Sequence, residues 1–236
     1  MQIEDKTILV TGANRGVGRA LVEEALKRGA KRVYAGTRVS FAHPDQRVIP
    51  LTIDVTDEAQ IRRAAEKVTT LDMLINNAGI MSYDDLSDRA MIERHLAVNL
   101  FGMHGMTQAF LPSLIRSHGR VVNILSILAL APLPPTPSYS ISKAAALSLT
   151  QSMRAFLAGQ GVKVHAVLAG PTDTDMIRHM DIPKTSPEIV AQGIFDGVEK
   201  GEEDIFPDPQ SAPMAESWFS SASKMLEQRF AALVPA

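Results

Sequence analysis

The chain has 236 residues, 45% of them hydrophobic and 21% charged, with a formal net charge of −2; this is the balance of an ordinary globular protein, long enough for one large α/β domain. Acidic and basic residues are intermixed, which speaks against a nucleic-acid or membrane partner. The chain contains no cysteine, so disulfides, thiolate metal sites and cysteine nucleophiles are excluded. The first ten residues, MQIEDKTILV, lack the pattern of a signal peptide, and no apolar run approaches the length of a membrane span. The expectation is a soluble, cytoplasmic protein.

Short apolar runs alternate with longer amphipathic ones. KTILVTG reads as a strand entering a glycine turn, and residues 16–29 as a helix, with Val17, Ala20, Leu21, Ala25 and Leu26 at helical spacing and Gly29 as its stop. RVYAGT and RVIPLTID read as the second and third strands, and Asp57 caps a helix carrying Ile61, Ala64, Ala65 and Val68. LDMLINNAG is a fourth strand; helices over 87–100 and 103–117 follow, then the strand GRVVNILS. A helix over 138–159, the strand GVKVHAVLAG, a helix over 187–200, the short strand EDIFP and an amphipathic helix over about 213–231 complete the chain. Apolar strands alternating with helices predict a parallel sheet covered on both faces, and right-handed crossovers make it doubly wound. The fold class expected is therefore α/β, a single-domain Rossmann-like doubly wound parallel sheet over residues 1–236. The acidic run EEDI reads as a solvated helix end. The six histidines form no metal-ligand pattern, so no metal site is expected and packing or surface roles are assigned to them.

TGANRGVG places Gly12, Gly16 and Gly18 between the first strand and the first helix. Glycines there permit a tight turn and let the backbone approach a pyrophosphate at the helix N-terminus, whose free N–H groups favour an anion. The spacing G-x-x-x-G-x-G differs from the common G-x-G-x-x-G and lacks the terminal G-K-S/T of a phosphate-binding P-loop.

With this turn, NNAG at 76–79, DVTD at 54–57, LAVNLFG at 96–102, and Ser126, Tyr139 and Lys143 in that order, nearly the whole chain resembles the short-chain dehydrogenase/reductase family. The resemblance implies a Rossmann-fold oxidoreductase, with Asn99, Ser126, Tyr139 and Lys143 as its catalytic residues. It implies a dinucleotide held by Gly12, Asn14, Arg15, Gly16, Val17 and Gly18 in the turn, and by Asp54 and Val55 near the adenine. Asn77, Ala78 and Gly79 beside the adenosine and Gly170, Thr172 and Thr174 near the nicotinamide and diphosphate complete the implied set. The family's proline–glycine pair is altered here: Ala169 stands in the proline's place and Pro171 follows Gly170.

The end of the second strand bears on which dinucleotide. An acidic residue there receives the ribose hydroxyls of NAD, whereas this chain has Thr37 followed by Arg38. Arg38 suits a 2′-phosphate, and Arg15 is placed to clamp it from the other side. The cofactor expected is NADP(H).

SYSISK raises the chemistry. Tyr139 and Lys143 lie one turn apart on a helix. An ammonium about 4 Å from the phenol oxygen favours the phenolate by about 4 kcal/mol at an effective dielectric near 20, which predicts a phenol well below its usual pKa near 10. The substrate carbonyl is expected between Ser126 and Tyr139, with proton supply from Tyr139. By resemblance, Lys143 also holds the nicotinamide ribose, and Asn99 anchors a water linking Lys143 to solvent.

ILALAPLPPTP and TDMIRHMDIPK bound the substrate end, and Leu128, Pro171 and Met176 join Ser126 and Tyr139 as its expected contacts. Their composition favours an apolar or aromatic carbonyl compound or alcohol. The second segment is short for a lid, so an open pocket is expected. The resemblance implies a dimer or tetramer through the helices near 103–117 and 138–159, and a homodimer is the preferred assembly. The leading reading is NADPH-dependent reduction of a ketone or aldehyde. An NAD-linked alcohol dehydrogenase and a catalytically silent NADP(H)-sensing protein are the alternatives.

Overall fold

The computed structural model describes residues 1–234, so the last two positions of the 1–236 domain reading lie outside the described residues. Seven strands form one parallel sheet in the order β3-β2-β1-β4-β5-β6-β7. They are β1 (Thr7–Thr11), β2 (Arg32–Thr37), β3 (Val48–Thr52), β4 (Met73–Asn76), β5 (Arg120–Ile124), β6 (Lys163–Val167) and β7 (Asp204–Ile205). All residues of β1 and β4 are buried, as the covered centre of a parallel sheet requires.

One face of the sheet is covered by α1 (Gly16–Lys27) and α6 (Pro187–Lys200), whose Leu21, Ala25, Ile194 and Phe195 share a core with Ile8, Val10 and Ile75. The other face carries α2 (Glu58–Lys67), α4 (Met103–Ser117) and α5 (Pro137–Ala158), which pack Ile61, Phe110 and Leu157 against Leu9, Leu74 and Val121. The single-sheet α/β architecture is the one expected. Asp57 caps α2 as its sequence position predicts, accepting from the N–H groups of Ala59 and Gln60.

Residues 87–100 do not form one regular helix. Asp88 caps α3 (Arg89–Leu96), and Ala97–Gly102 form a π-helical turn that runs directly into α4. Such turns insert an extra residue per turn and collect at functional sites; this one carries Asn99.

The expected final helix over 213–231 is broken. A 3₁₀ turn (Ala212–Met214) leads into α7 (Ala215–Phe219), and α8 (Ala222–Ala231) starts afresh after Ser221, whose side chain accepts from the Lys224 N–H. The adjacent Ser220 donates its hydroxyl to the Glu216 carbonyl. Serines that bond local backbone favour helix ends over helix interiors.

The acidic run before β7 is not simply a solvated end. Asp204 is buried at 2.6 Å from Arg154 and 2.7 Å from Lys224, and it accepts from Trp218 Nε1 at 2.8 Å. Glu227 pairs with the same two cations. A charge cluster on α5, β7 and α8 thus replaces part of an apolar interface, each buried ion held by an opposite one.

Candidate active site

The chain runs β1-β2-β3 outward from the middle of the sheet and returns to β4 beside β1, so a crevice opens at the carboxyl ends of those central strands. A cleft of about 720 Å³ occupies this place, bordered by the glycine turn, Asn77–Gly79, Ser126, Tyr139, Lys143 and the segment from Gly170 to Ile182.

Gly12 (φ 66°) and Gly16 (φ 52°) sit in left-handed backbone. A Cβ on Gly18 would stand 2.1 Å from the Gly12 carbonyl oxygen and 2.5 Å from Asn77 Nδ2, so this position admits no side chain. The start of α1 has no side-chain cap, which leaves its first N–H groups to a ligand. Thr11 fixes the opposite wall: its Oγ1 accepts from the N–H groups of Asn77 and Ala78, both at 3.0 Å, while Asn77 Nδ2 donates to the Thr11 carbonyl at 2.9 Å. These features fit the diphosphate and adenosine of a dinucleotide.

At the adenine end, Arg38, Val39, Asp54 and Val55 border the cleft. Thr37 does not: it is buried, and its hydroxyl donates to the Val39 carbonyl at 2.7 Å, so the expected contact passes to its two successors. The Asp54 carboxylate accepts from the backbone N–H and hydroxyl of Thr56, which hold its pKa below the usual carboxylate range. Arg15 lies 3.7 Å from Asp175, a pair exposed enough for an incoming anion to compete for the guanidinium.

The catalytic end is built on α5 and β5. Lys143 is buried, and its Nζ donates to the Ile124 carbonyl at 2.8 Å. It lies 5.6 Å from the centroid of the Tyr139 ring. Burial pushes Lys143 down to about 8. The same burial pushes the Tyr139 phenol up to about 12, against the pull of the neighbouring Ser126 hydroxyl. This reverses the expected direction for the phenol, because desolvation outweighs an ammonium whose hydrogen bond goes to a carbonyl. Ser126 Oγ also accepts from the Leu128 N–H at 3.1 Å.

Asn99 lies beneath the cleft floor. Its Nδ2 donates to the Ile80 carbonyl at 3.0 Å and to Ser142 Oγ at 2.9 Å, and its Oδ1 accepts from the Ile80 N–H at 2.9 Å. Both amide hydrogens therefore serve to join the segment after β4 to α5. His95, one turn earlier, is fully buried: Nδ1 meets the Met91 carbonyl at 2.7 Å, and Nε2 accepts from the Ser82 N–H at 3.1 Å. Its ring stands edge-on to Tyr139, with centroids 6.5 Å apart. Thr11 and His95 escaped the sequence reading. The signal for His95 was its position four residues before Asn99, which places both on one helical face.

At the substrate end, Leu128, Pro171 and Met176 line the cleft as expected, together with Leu133, Met180 and Ile182. The hydroxyls of Thr172 and Thr174 donate to the carbonyls of Gly170 and Thr172, at 3.2 and 3.3 Å. The Thr174 methyl group lies 3.0 Å from where a Cβ on Gly16 would stand. Beside this end, the His179 ring lies 3.1 Å from the Tyr83 hydroxyl.

The short chain dehydrogenase family profile matches residues 6–184. A solved short chain dehydrogenase from Burkholderia cenocepacia J2315, in complex with NADP, is 37% identical, covers 100% of both chains and superimposes with a TM-score of 0.89. The 3-oxoacyl-(acyl-carrier-protein) reductase of Thermotoga maritima is 34% identical over 75% of this chain and 78% of its own. Estradiol 17-beta-dehydrogenase 2 of Mus musculus is 33% identical over 77% of this chain, a stretch that spans 52% of the mouse protein.

Proposed function

The chain belongs to the short-chain dehydrogenase/reductase family and is an NADP(H)-dependent oxidoreductase acting on carbonyl or alcohol groups; on that premise we propose that it reduces a small apolar or aromatic ketone or aldehyde, with Tyr139 as the proton donor. The observation that carries the reading is the enclosed Tyr139 beside Ser126, with Lys143 buried next to it, at one end of a cleft that runs past the glycine turn to Arg38.

The glycine turn and the open N-terminus of α1 are the residues to hold the cofactor diphosphate, and Arg38, with Arg15, its 2′-phosphate. The bound nicotinamide supplies the hydride. Ser126 and Tyr139 donate hydrogen bonds to the carbonyl oxygen as its π electrons move onto it. The phenol then gives up its proton to that oxygen, and the alcohol is formed. Burial keeps the Tyr139 phenol protonated at neutral pH, and because it also makes the phenol a weaker acid, release of the proton depends on the neighbouring Lys143 charge. The Lys143 ammonium stabilises the resulting phenolate and, in its charged form, restores the proton through the site. Asn99 holds the floor between Ile80 and Ser142 on which this geometry rests. The leucine, isoleucine and methionine lining of the far end favours an apolar substrate.

Assembly follows the outer face of α5. Ile141, Ala144, Ser148, Ser152 and Phe156 are exposed at helical spacing, and this stripe holds no charge. A homodimer that buries it is the assembly we infer.

The test is NADPH oxidation by the purified protein with aldehydes, aryl ketones, diketones and quinones, repeated with NADH. Turnover at least about tenfold faster with NADPH is expected from one charge-assisted contact at Arg38. Equal or better turnover with NADH contradicts the assignment of that arginine.

A further inference from the structure

The segment from Asp173 to Thr185 forms the outer wall of the substrate end, presenting Met176, Ile177, Met180 and Ile182 to the cleft. It is tied down behind by the Thr185 N–H, which donates to the Pro171 carbonyl at 2.9 Å, and by the Thr185 hydroxyl on Gln210. Towards residues 80–88, of which Ile80 and Met81 line the cleft, its one side-chain hydrogen bond among the described residues is His179 Nε2 to the Tyr83 hydroxyl, at 3.1 Å. The two rings also meet edge to face with centroids 5.3 Å apart. Imidazole and phenol thus join the 173–185 segment to the one after β4 at an exposed contact, beside the residues that line the cleft.

Tyr83 is not on a loose loop. The next residue, Asp84, accepts the Ser138 hydroxyl at 2.9 Å and the Ser138 N–H at 3.3 Å, and its own N–H donates to the Pro135 carbonyl at 3.3 Å. Ser138 immediately precedes the proton donor. Asp84 also accepts from the Leu86 N–H at 3.2 Å, and Leu86 is held at φ 66°, a left-handed conformation that a leucine keeps only where surrounding contacts enforce it. His95 fixes the same strand of backbone through Ser82. The segment carrying Tyr83 is therefore tied to the start of α5 next to Tyr139, whereas the wall carrying His179 is a stretch without helix or strand.

We propose that Tyr83 and His179 form a clasp that sets the position of the 173–185 wall against the catalytic helix, and so selects apolar carbonyl compounds short enough to fit beneath it. The proposal rests on the carbonyl-reductase reading for its substrate. Tyr83 and His179 touch neither the proton path nor the cofactor cradle; they are positioning residues that act through Met176, Met180 and Ile182. Substrate binding, rather than proton transfer, is the step they govern.

The test uses Tyr83→Phe, which keeps the ring and removes the hydroxyl, His179→Ala, and the double variant. Amide hydrogen exchange over 173–185 is measured with NADPH bound, alongside steady-state reduction of the best carbonyl compound found for the wild type. Each single variant is expected to speed exchange in that segment and to raise KM for the carbonyl compound about 3- to 10-fold, the range of one net hydrogen bond, with kcat within about twofold. The double variant is expected to be no worse than the stronger single one, because both remove the same link. Unchanged exchange and KM in the single variants, or effects that multiply in the double variant, overturn the clasp. Exchange is read without turnover, so a clasp that is absent is distinguishable from a protein that reduces no carbonyl at all.

Discussion

Tyr139 and Lys143 are displaced in opposite directions by one cause. Burial disfavours charge, so the phenol rises to about 12 and the ammonium falls to about 8. A lysine with a lowered pKa carries its charge below that value and loses it above. The cation that stabilises the Tyr139 phenolate is therefore present at neutral pH and disappears as pH rises through about 8. We predict that kcat/KM for reduction is level at neutral pH and declines through that point, and that Lys143→Met lowers it about 10²-fold or more at neutral pH, with the deficit shrinking above about 8 as the wild-type lysine loses its charge. A profile that stays level well above pH 8 shows that Lys143 is not the titrating group. The Tyr139–Lys143 pair was legible in the sequence because helical spacing sets both on one face, and Ser126 and Asn99 joined it through the family resemblance. The direction of the phenol's shift was not, since it depends on burial beneath distant parts of the chain, His95 among them, which outweighs the opposing pull of Ser126. Thr37 shows the same limit: its place in the sequence is that of a ribose contact, but its hydroxyl satisfies the Val39 carbonyl instead.

At the scale of elements, α5 serves two faces. Its inner side carries Tyr139, Ser142 and Lys143, and its outer side carries the uncharged stripe from Ile141 to Phe156. Phe156 is 64% exposed, an apolar area that a partner would cover. Phe156→Glu is predicted to convert a dimer into a monomer in light scattering while leaving the helix folded. A wild-type protein that is monomeric at all accessible concentrations removes the dimer. Strands and most helices were readable because their apolar periodicity is local. The π turn at Asn99 and the break at Ser220–Ser221 were not: the first is set by what Asn99 must reach, the second by competition between serine side chains and the helical backbone. Asp204 likewise looked solvated until Arg154 and Lys224, distant in sequence, were seen to close around it.

Across the whole molecule, the sheet order brings the two halves of the site together. The return from β3 to β4 opens the crevice that the glycine turn borders, and β5 and β6 continue from it to deliver Ser126 and the wall after Gly170. The proposed cofactor cradle and proton donor thus stand on separate elements, the start of α1 and α5, so that one can be changed without altering the other's element. We propose that Tyr139 donates the proton and does not merely line the cleft. Tyr139→Phe tests it with two readings on one variant, NADPH affinity and the rate of carbonyl reduction. The account predicts a dissociation constant for NADPH within about twofold of wild type and a rate about 10²- to 10⁴-fold lower, the range attributed to a positioned general acid. A variant that binds NADPH and still reduces its substrate at a rate near wild type would take its proton from elsewhere, and the assignment of Tyr139 would fall.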